Sequence, residues 1–216
     1  MTPYYETELG KLYHGDCLEI MPELEPVYLV LTDPPYGIGE NNNKNLSRVK
    51  LAKPRDYGPA DWDKKPPPPY YFELIRIISK NQIIFGGNYF IEWLKNSPCW
   101  IVWDKDNTGD FADCELAWTS FNSAVRKIKW RWNGFLKEVP EKRYHLTQKP
   151  LGLIQRILDM YSSQDDLVLD THLGSGTTAI ACERLKRKWI GIEIEEKYCE
   201  ISARRIEAER KQLKLF

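Results

Sequence analysis

Between Val27 and Thr32 the chain reads Val-Tyr-Leu-Val-Leu-Thr, and it then breaks at once into Asp33-Pro34-Pro35-Tyr36. A run that is apolar at nearly every position, rather than at every second one, suits a strand covered on both faces. Such strands belong to parallel sheets flanked by helices. The same pattern recurs along the chain. Seven runs read as strands: Lys11 to His14, Val27 to Thr32, Gln82 to Phe85, Cys99 to Asp104, Cys114 to Phe121, Leu167 to Asp170 and Lys188 to Glu193. Between them apolar residues recur at helical spacing, as in Tyr71, Leu74, Ile75 and Ile78, in Leu151, Ile154, Leu158 and Tyr161, and in Ile201 with Ile206 of the charged C-terminal segment. The expected class is α/β, with helices on the faces of the sheet.

Composition narrows the function. The 216 residues carry 31 acidic and 31 basic side chains, so a uniformly basic nucleic-acid coat is excluded while local basic patches are not. The longest apolar run, Val27 to Leu31, is far short of the roughly 20 residues that span a bilayer. The opening Met1-Thr-Pro-Tyr-Tyr-Glu lacks the basic and apolar segments of a secretory signal. Five cysteines without C-x-x-C spacing fit a reducing cytosol better than a disulfide or zinc framework. No repeat or linker divides the chain, and one domain over residues 1–216 is expected.

Two segments break the rhythm. From Glu40 to Pro69 there is hardly an apolar cluster, but a basic run Lys44, Arg48, Lys50, Lys53, Arg55 and then four prolines. Loops of this length are generally functional or disordered. The second segment, Asn122 to Tyr144, interleaves Arg126, Lys127, Lys129 and Arg131 with Trp130 and Trp132. Cations beside flat rings suit phosphate contact and base stacking, although the same residues also suit a solvated edge strand.

Asp33-Pro34-Pro35-Tyr36 follows a strand directly, where ligands of open α/β sheets bind. Two prolines fix the backbone and remove two donors, which leaves the carbonyls, the carboxylate and the ring presented rigidly. Asp33 and the Pro34 carbonyl can accept the two hydrogens of an amine lying in the plane of a flat ring, with Tyr36 stacked on that ring.

Far downstream, Leu167-Val-Leu-Asp170-Thr171-His172-Leu-Gly174-Ser175-Gly176-Thr177-Thr178 reads as strand, glycine-rich turn and helix. The glycines let the backbone approach a ligand that faces the helix amides. Glu193, at the end of the next strand, is placed to accept from both hydroxyls of a ribose. This pattern also describes an NAD site. Asp170 separates the two readings, because a carboxylate there repels a pyrophosphate and attracts the sulfonium and ammonium groups of S-adenosylmethionine.

Together with His145-Leu-Thr-Gln-Lys149-Pro150, these two motifs resemble those of the amino-methylating DNA methyltransferases that form N6-methyladenine or N4-methylcytosine. Their order resembles the permuted beta class, in which the catalytic motif precedes the cofactor motif. The resemblance runs from about Leu12 to Tyr198. It implies a Rossmann-like seven-stranded class I methyltransferase sheet, S-adenosylmethionine as cofactor and DNA as partner. It also implies roles. Asp33, Pro34, Pro35 and Tyr36 are the catalytic group, the turn from Gly174 through Ser175, Gly176 and Thr177 to Thr178 is the cofactor loop, and Glu193 holds the ribose. Asp16 lies beside the cofactor adenine, and Lys149 and Pro150 pack near the methionine end.

Two departures stand out. Thr171-His172 replaces the usual Pro-Phe beside the cofactor, and a separate recognition domain is not expected within these 216 residues. DNA contact therefore falls to Lys44, Arg48, Lys50, Arg126, Lys129, Trp130 and Arg131, or to a homodimer or partner. An Asp before the two prolines is more usual in adenine enzymes, which makes adenine N6 the leading reading and cytosine N4 the nearest alternative. A silent nucleic-acid-binding subunit and an NAD-dependent oxidoreductase are the rival classes.

Overall fold

The computed structural model describes residues 1–39, 63, 65–106, 112–133, 136–144 and 147–213. In chain order the elements are β1 (Tyr5–Glu6), β2 (Gly10–His14), α1 (Cys17–Ile20), β3 (Val27–Thr32), α2 (Pro69–Ile78), β4 (Ser79–Phe85), β5 (Trp100–Asp104), β6 (Cys114–Thr119), β7 (Arg126–Lys129), β8 (Trp132–Asn133), β9 (Leu136–Lys137), α3 (Leu151–Tyr161), β10 (Leu167–Asp170), α4 (Thr177–Leu185), β11 (Lys188–Glu193) and α5 (Glu196–Leu213). All seven strands predicted from the apolar runs form, and β3, β10 and β11 have the predicted bounds.

The main sheet has nine strands where the sequence predicts seven, in the order β1-β2-β11-β10-β3-β4-β6-β5-β7. The two additions are outer strands. β7 reads Arg-Lys-Ile-Lys with only Ile128 buried, and β1 has two residues, so neither carries the apolar run that marks a strand covered on both faces. β8 and β9 form a separate two-stranded ribbon.

Strands β2, β11, β10, β3 and β4 are mutually parallel, whereas β6 runs antiparallel to both β4 and β5. Alternate side chains of each central strand enter opposite cores. Leu29, Leu31, Ile83, Phe85 and Val168 pack with α3, α4 and α5, while Val30, Ile84, Leu169 and Ile192 pack with α1 and α2. Burial on both faces is what the unbroken apolar runs require.

The chain leaves β3 toward β4 on one side and β10 toward β11 on the other. The neighbours β3 and β10 therefore flank the topological switch point, and their carboxyl ends open the crevice where ligands of such sheets bind. In sequence, the strand leading to Asp33 precedes the strand leading to the glycine turn.

Candidate active site

Asp33 leaves the end of β3 beside the end of β10, and the two strands are joined above their ladder by side chains. The Thr171 hydroxyl lies 2.9 Å from that of Thr32 and 2.7 Å from that of Tyr71, and all three residues are buried. The Thr171-His172 departure thus builds a polar bridge between the segment that carries Asp33 and the glycine turn. His172 Nδ1 sits 3.0 Å from the same Thr171 oxygen, and the ring meets Tyr71 edge-on at 5.5 Å. Burial pushes the His172 pKa down to about 4, so it is a neutral flat ring at working pH.

Within the tetrapeptide, Tyr36 donates from its hydroxyl to Asp33 Oδ1 at 2.6 Å, and Lys149 donates to Asp33 Oδ2 at 2.5 Å. Pro34 is buried and Pro35 partly so. Gly86, just past β4, has φ +67°, and a Cβ added there would stand 2.2 Å from the Tyr36 ring. The ring therefore lies on bare backbone. It also stacks on Tyr89 at 4.9 Å between centroids.

The glycine turn is braced from two sides. Asp170, buried at the end of β10, accepts from Thr178 Oγ1 at 2.6 Å and from the His172 amide at 3.1 Å. Desolvation raises its pKa to about 6. Glu193 at the end of β11 accepts from the Gly174 amide at 2.7 Å and from the Glu195 amide at 2.9 Å, and burial raises its pKa to about 7. Gly176 starts α4 at φ +87°, where an added Cβ would meet Ser202 at 3.0 Å. The Ser175 hydroxyl donates to Gln148 Oε1 and accepts from the Arg205 guanidinium, so its side chain works inside the fold. Gln148 in turn accepts from the Tyr144 amide, which docks the Gln148-Lys149-Pro150 segment against the turn. On β2's side Asp16 caps α1 by accepting from the Leu18 amide at 2.8 Å.

A family model described as a DNA methylase, of the N6/N4 methyltransferase type, matches residues 72–204. The chain belongs to this family. It is 38% identical to the Type II methyltransferase M.HinfI of Haemophilus influenzae over an alignment that covers 92% of this chain and 68% of that protein. The solved complex of M1.HpyAVI with S-adenosylmethionine superposes with a TM-score of 0.60 at 25% identity, over 91% of this chain and all of the other. The PvuII DNA methyltransferase, described as cytosine-N4-specific, shares the fold with a TM-score of 0.63 at 19% identity, over 93% of this chain and 87% of the other.

The donor set of this DNA methylase fits an S-adenosylmethionine-type cofactor. Asp16, Asp170 and Glu193 stand at the ends of three neighbouring strands, a negative field that favours a sulfonium and an ammonium and opposes a pyrophosphate. At Gly174 an added Cβ would find nothing nearer than the His172 carbonyl oxygen at 4.0 Å, so the backbone there is open to a ligand. The hydroxyls of Thr171, Ser175 and Thr178 are engaged in the internal bonds above.

The expected DNA-facing residues separate. Lys44, Arg48 and Lys50 lie outside the described residues, as does His145. Arg126, Lys127, Lys129 and Arg131 are exposed along the sheet's edge, but Lys127 pairs with Asp104 at 2.7 Å, and Lys129 and Arg131 share Asp106. Trp130 is half-buried and packs on Gly152 of α3, whose added Cβ would meet the ring at 2.1 Å.

Sequence reasoning missed Glu115, Tyr89, Gly86 and Asp63. Asp63 accepts from the Gly37 amide at 2.9 Å, and its backbone oxygen accepts from Gly39, which ties down the chain just after Asp33-Pro34-Pro35-Tyr36. Glu115 is the second residue of β6, and because that strand runs antiparallel its first residues lie at the same edge as the carboxyl ends of the parallel strands. Nothing local in Cys114-Glu-Leu-Ala marks that placement.

Proposed function

We propose that this protein transfers a methyl group from S-adenosylmethionine to the exocyclic N6 amine of an adenine flipped out of DNA. The observation that carries the reading is the side-by-side placement of a rigid carboxylate, Asp33, and the acid-lined glycine turn, bridged by the 2.9 Å contact between Thr32 and Thr171.

The bound cofactor would supply an electrophilic methyl on a sulfonium. The protein's part is alignment and electrostatics. An exocyclic amine is a poor nucleophile because its lone pair is conjugated with the ring. Asp33 Oδ2 and the Pro34 carbonyl accept its two hydrogens and favour a tetrahedral nitrogen whose lone pair is free to attack. Tyr36 holds Asp33 Oδ1 and so fixes the direction of the other oxygen. After transfer the methylated amine is acidic and passes a proton to Asp33 or to water. A base in a duplex cannot reach such a crevice, so it must be extruded, and the Tyr36–Tyr89 pair offers an aromatic wall beside Asp33 to receive it.

Incubation with methyl-labelled cofactor and mixed-sequence DNA, digestion to nucleosides and identification by mass tests the reading. Labelled N6-methyladenine that disappears with Asp33→Ala is expected. N4-methylcytosine would select the cytosine alternative, since the same two acceptors serve either amine. No transfer to any nucleic acid by folded protein that binds the cofactor would leave the silent binding subunit.

A further inference from the structure

Asp33 Oδ2, the oxygen assigned above to the target amine, is in contact with the Lys149 ammonium at 2.5 Å. Amine and ammonium compete for one acceptor. Lys149 has 9% side-chain exposure, so it cannot leave Asp33 for water without moving far, and a buried cation without a counter-charge is strongly disfavoured. A second carboxylate meets this need. Glu115 Oε2 lies 3.4 Å from Lys149 Nζ, is shut off from solvent, and has no hydrogen-bond partner among the described residues. The other oxygen, Oε1, is held by Lys105 Nζ at 2.5 Å, which orients the carboxylate toward Lys149.

We propose that Glu115 is a positioning residue for methyl transfer: its Oε2 takes over the Lys149 ammonium as the target amine takes Asp33 Oδ2. The inference rests on the amino-methylation reading and holds for either amine. A shift of Nζ by about half an ångström reaches the usual length of a charged hydrogen bond to Glu115 and lengthens its 2.5 Å contact with Asp33, which moves the ammonium's main partner from one carboxylate to the other. No proton changes hands. Burial alone would lower the pKa of Lys149, but the two carboxylates outweigh it and the pKa is raised, so the ammonium stays charged in either position.

The test is a double-mutant cycle read by single-turnover methyl transfer to DNA that the wild-type protein modifies, with DNA and cofactor dissociation constants measured alongside. Glu115→Gln is expected to slow transfer by about tenfold while both constants stay within about twofold. In a Lys149→Met background, where no ammonium needs housing, the same substitution is expected to change the rate by less than about twofold. Equal losses in both backgrounds would mean that Glu115 acts through the structure of its own strand, and would overturn the proposal. So would an unchanged rate for Glu115→Gln. Should Glu115→Gln fail to fold, Glu115→Asp retains the charge one methylene short and is expected to slow transfer only where Lys149 is present; a loss in both backgrounds again overturns it. Wild-type protein that methylates no nucleic acid removes the underlying reading and the proposal together, whereas an active enzyme indifferent to Glu115 removes the proposal alone.

Discussion

The hydroxyls of Thr32 and Thr171 meet at 2.9 Å, although 139 positions separate them in the chain. One ends the strand that presents Asp33 and the other begins the turn expected to hold the cofactor. Their contact, shared with the Tyr71 hydroxyl at 2.7 Å, sets the spacing of the two halves of the site.

Replacing Thr171 with Val keeps the shape and removes the shared oxygen. Tyr71 and Thr32, both fully buried, then lose a partner, and the expected cost is about 1–3 kcal/mol in chemical denaturation. Tyr71→Phe, which removes the unsatisfied group together with its bond, should cost less. An order of effect opposite to this would show that the bridge does not hold the two strands.

Gly86 supports the Tyr36 ring through its backbone. With φ at +67° and the Tyr36 ring 2.2 Å from any added Cβ, Gly86→Ala must displace the ring and break the 2.6 Å bond from Tyr36 to Asp33. Methyl transfer is expected to slow by roughly 10²-fold, since misplacement on the ångström scale has effects of that size. Cofactor affinity, expected to depend on the loops after β10 and β11, should hold in equilibrium binding.

Glu193 makes the protein sensitive to pH. Burial raises its pKa from 4.5 to about 7, so the folded state retains a proton that the unfolded chain releases. Stability from this group is fully present below about pH 4.5, declines as pH rises toward 7, and above that a constant penalty remains. Glu193→Gln, which keeps one of the two acceptor oxygens, should therefore flatten this pH dependence, so that its cost relative to the unsubstituted protein is smaller at pH 8 than near pH 4.5 by about 1–3 kcal/mol. Because an ionised carboxylate is the better acceptor for ribose hydroxyls, cofactor affinity is expected to rise between pH 6 and 8, with that rise flattened in the variant. Calorimetry across the range reads both effects.

The cations of β7 are partly neutralised by their own acids, which makes a paired test available. Substituting Arg126, Lys129 and Arg131 together should weaken DNA binding and flatten its dependence on salt, by about 0.9 in the log–log slope for each phosphate left without its cation. Asp106→Asn, which frees Lys129 and Arg131 from their shared partner, should do the reverse. Unchanged slopes in both variants would place the DNA elsewhere.

The central strands were legible because burial on both faces leaves an unbroken apolar run, and β3, β10 and β11 end where their runs end. The outer strand β7 was not legible, since one buried isoleucine among three charges satisfies it. Trp130 illustrates a different limit: its neighbours in sequence are basic, but its neighbour in space is Gly152 of α3, 22 positions on in the chain.

At the site, short stretches of chain already carry the chemistry that each motif can offer: a rigid Asp-Pro-Pro-Tyr corner, a glycine turn and an acid after the following strand. Those are local properties, fixed by proline and glycine backbones and by strand ends. Which of these groups share a surface is settled by packing alone. Sheet order makes β3 and β10 neighbours, and the reversed direction of β6 carries Glu115 to Lys149. Both are long-range pairings, and no short window of sequence contains them.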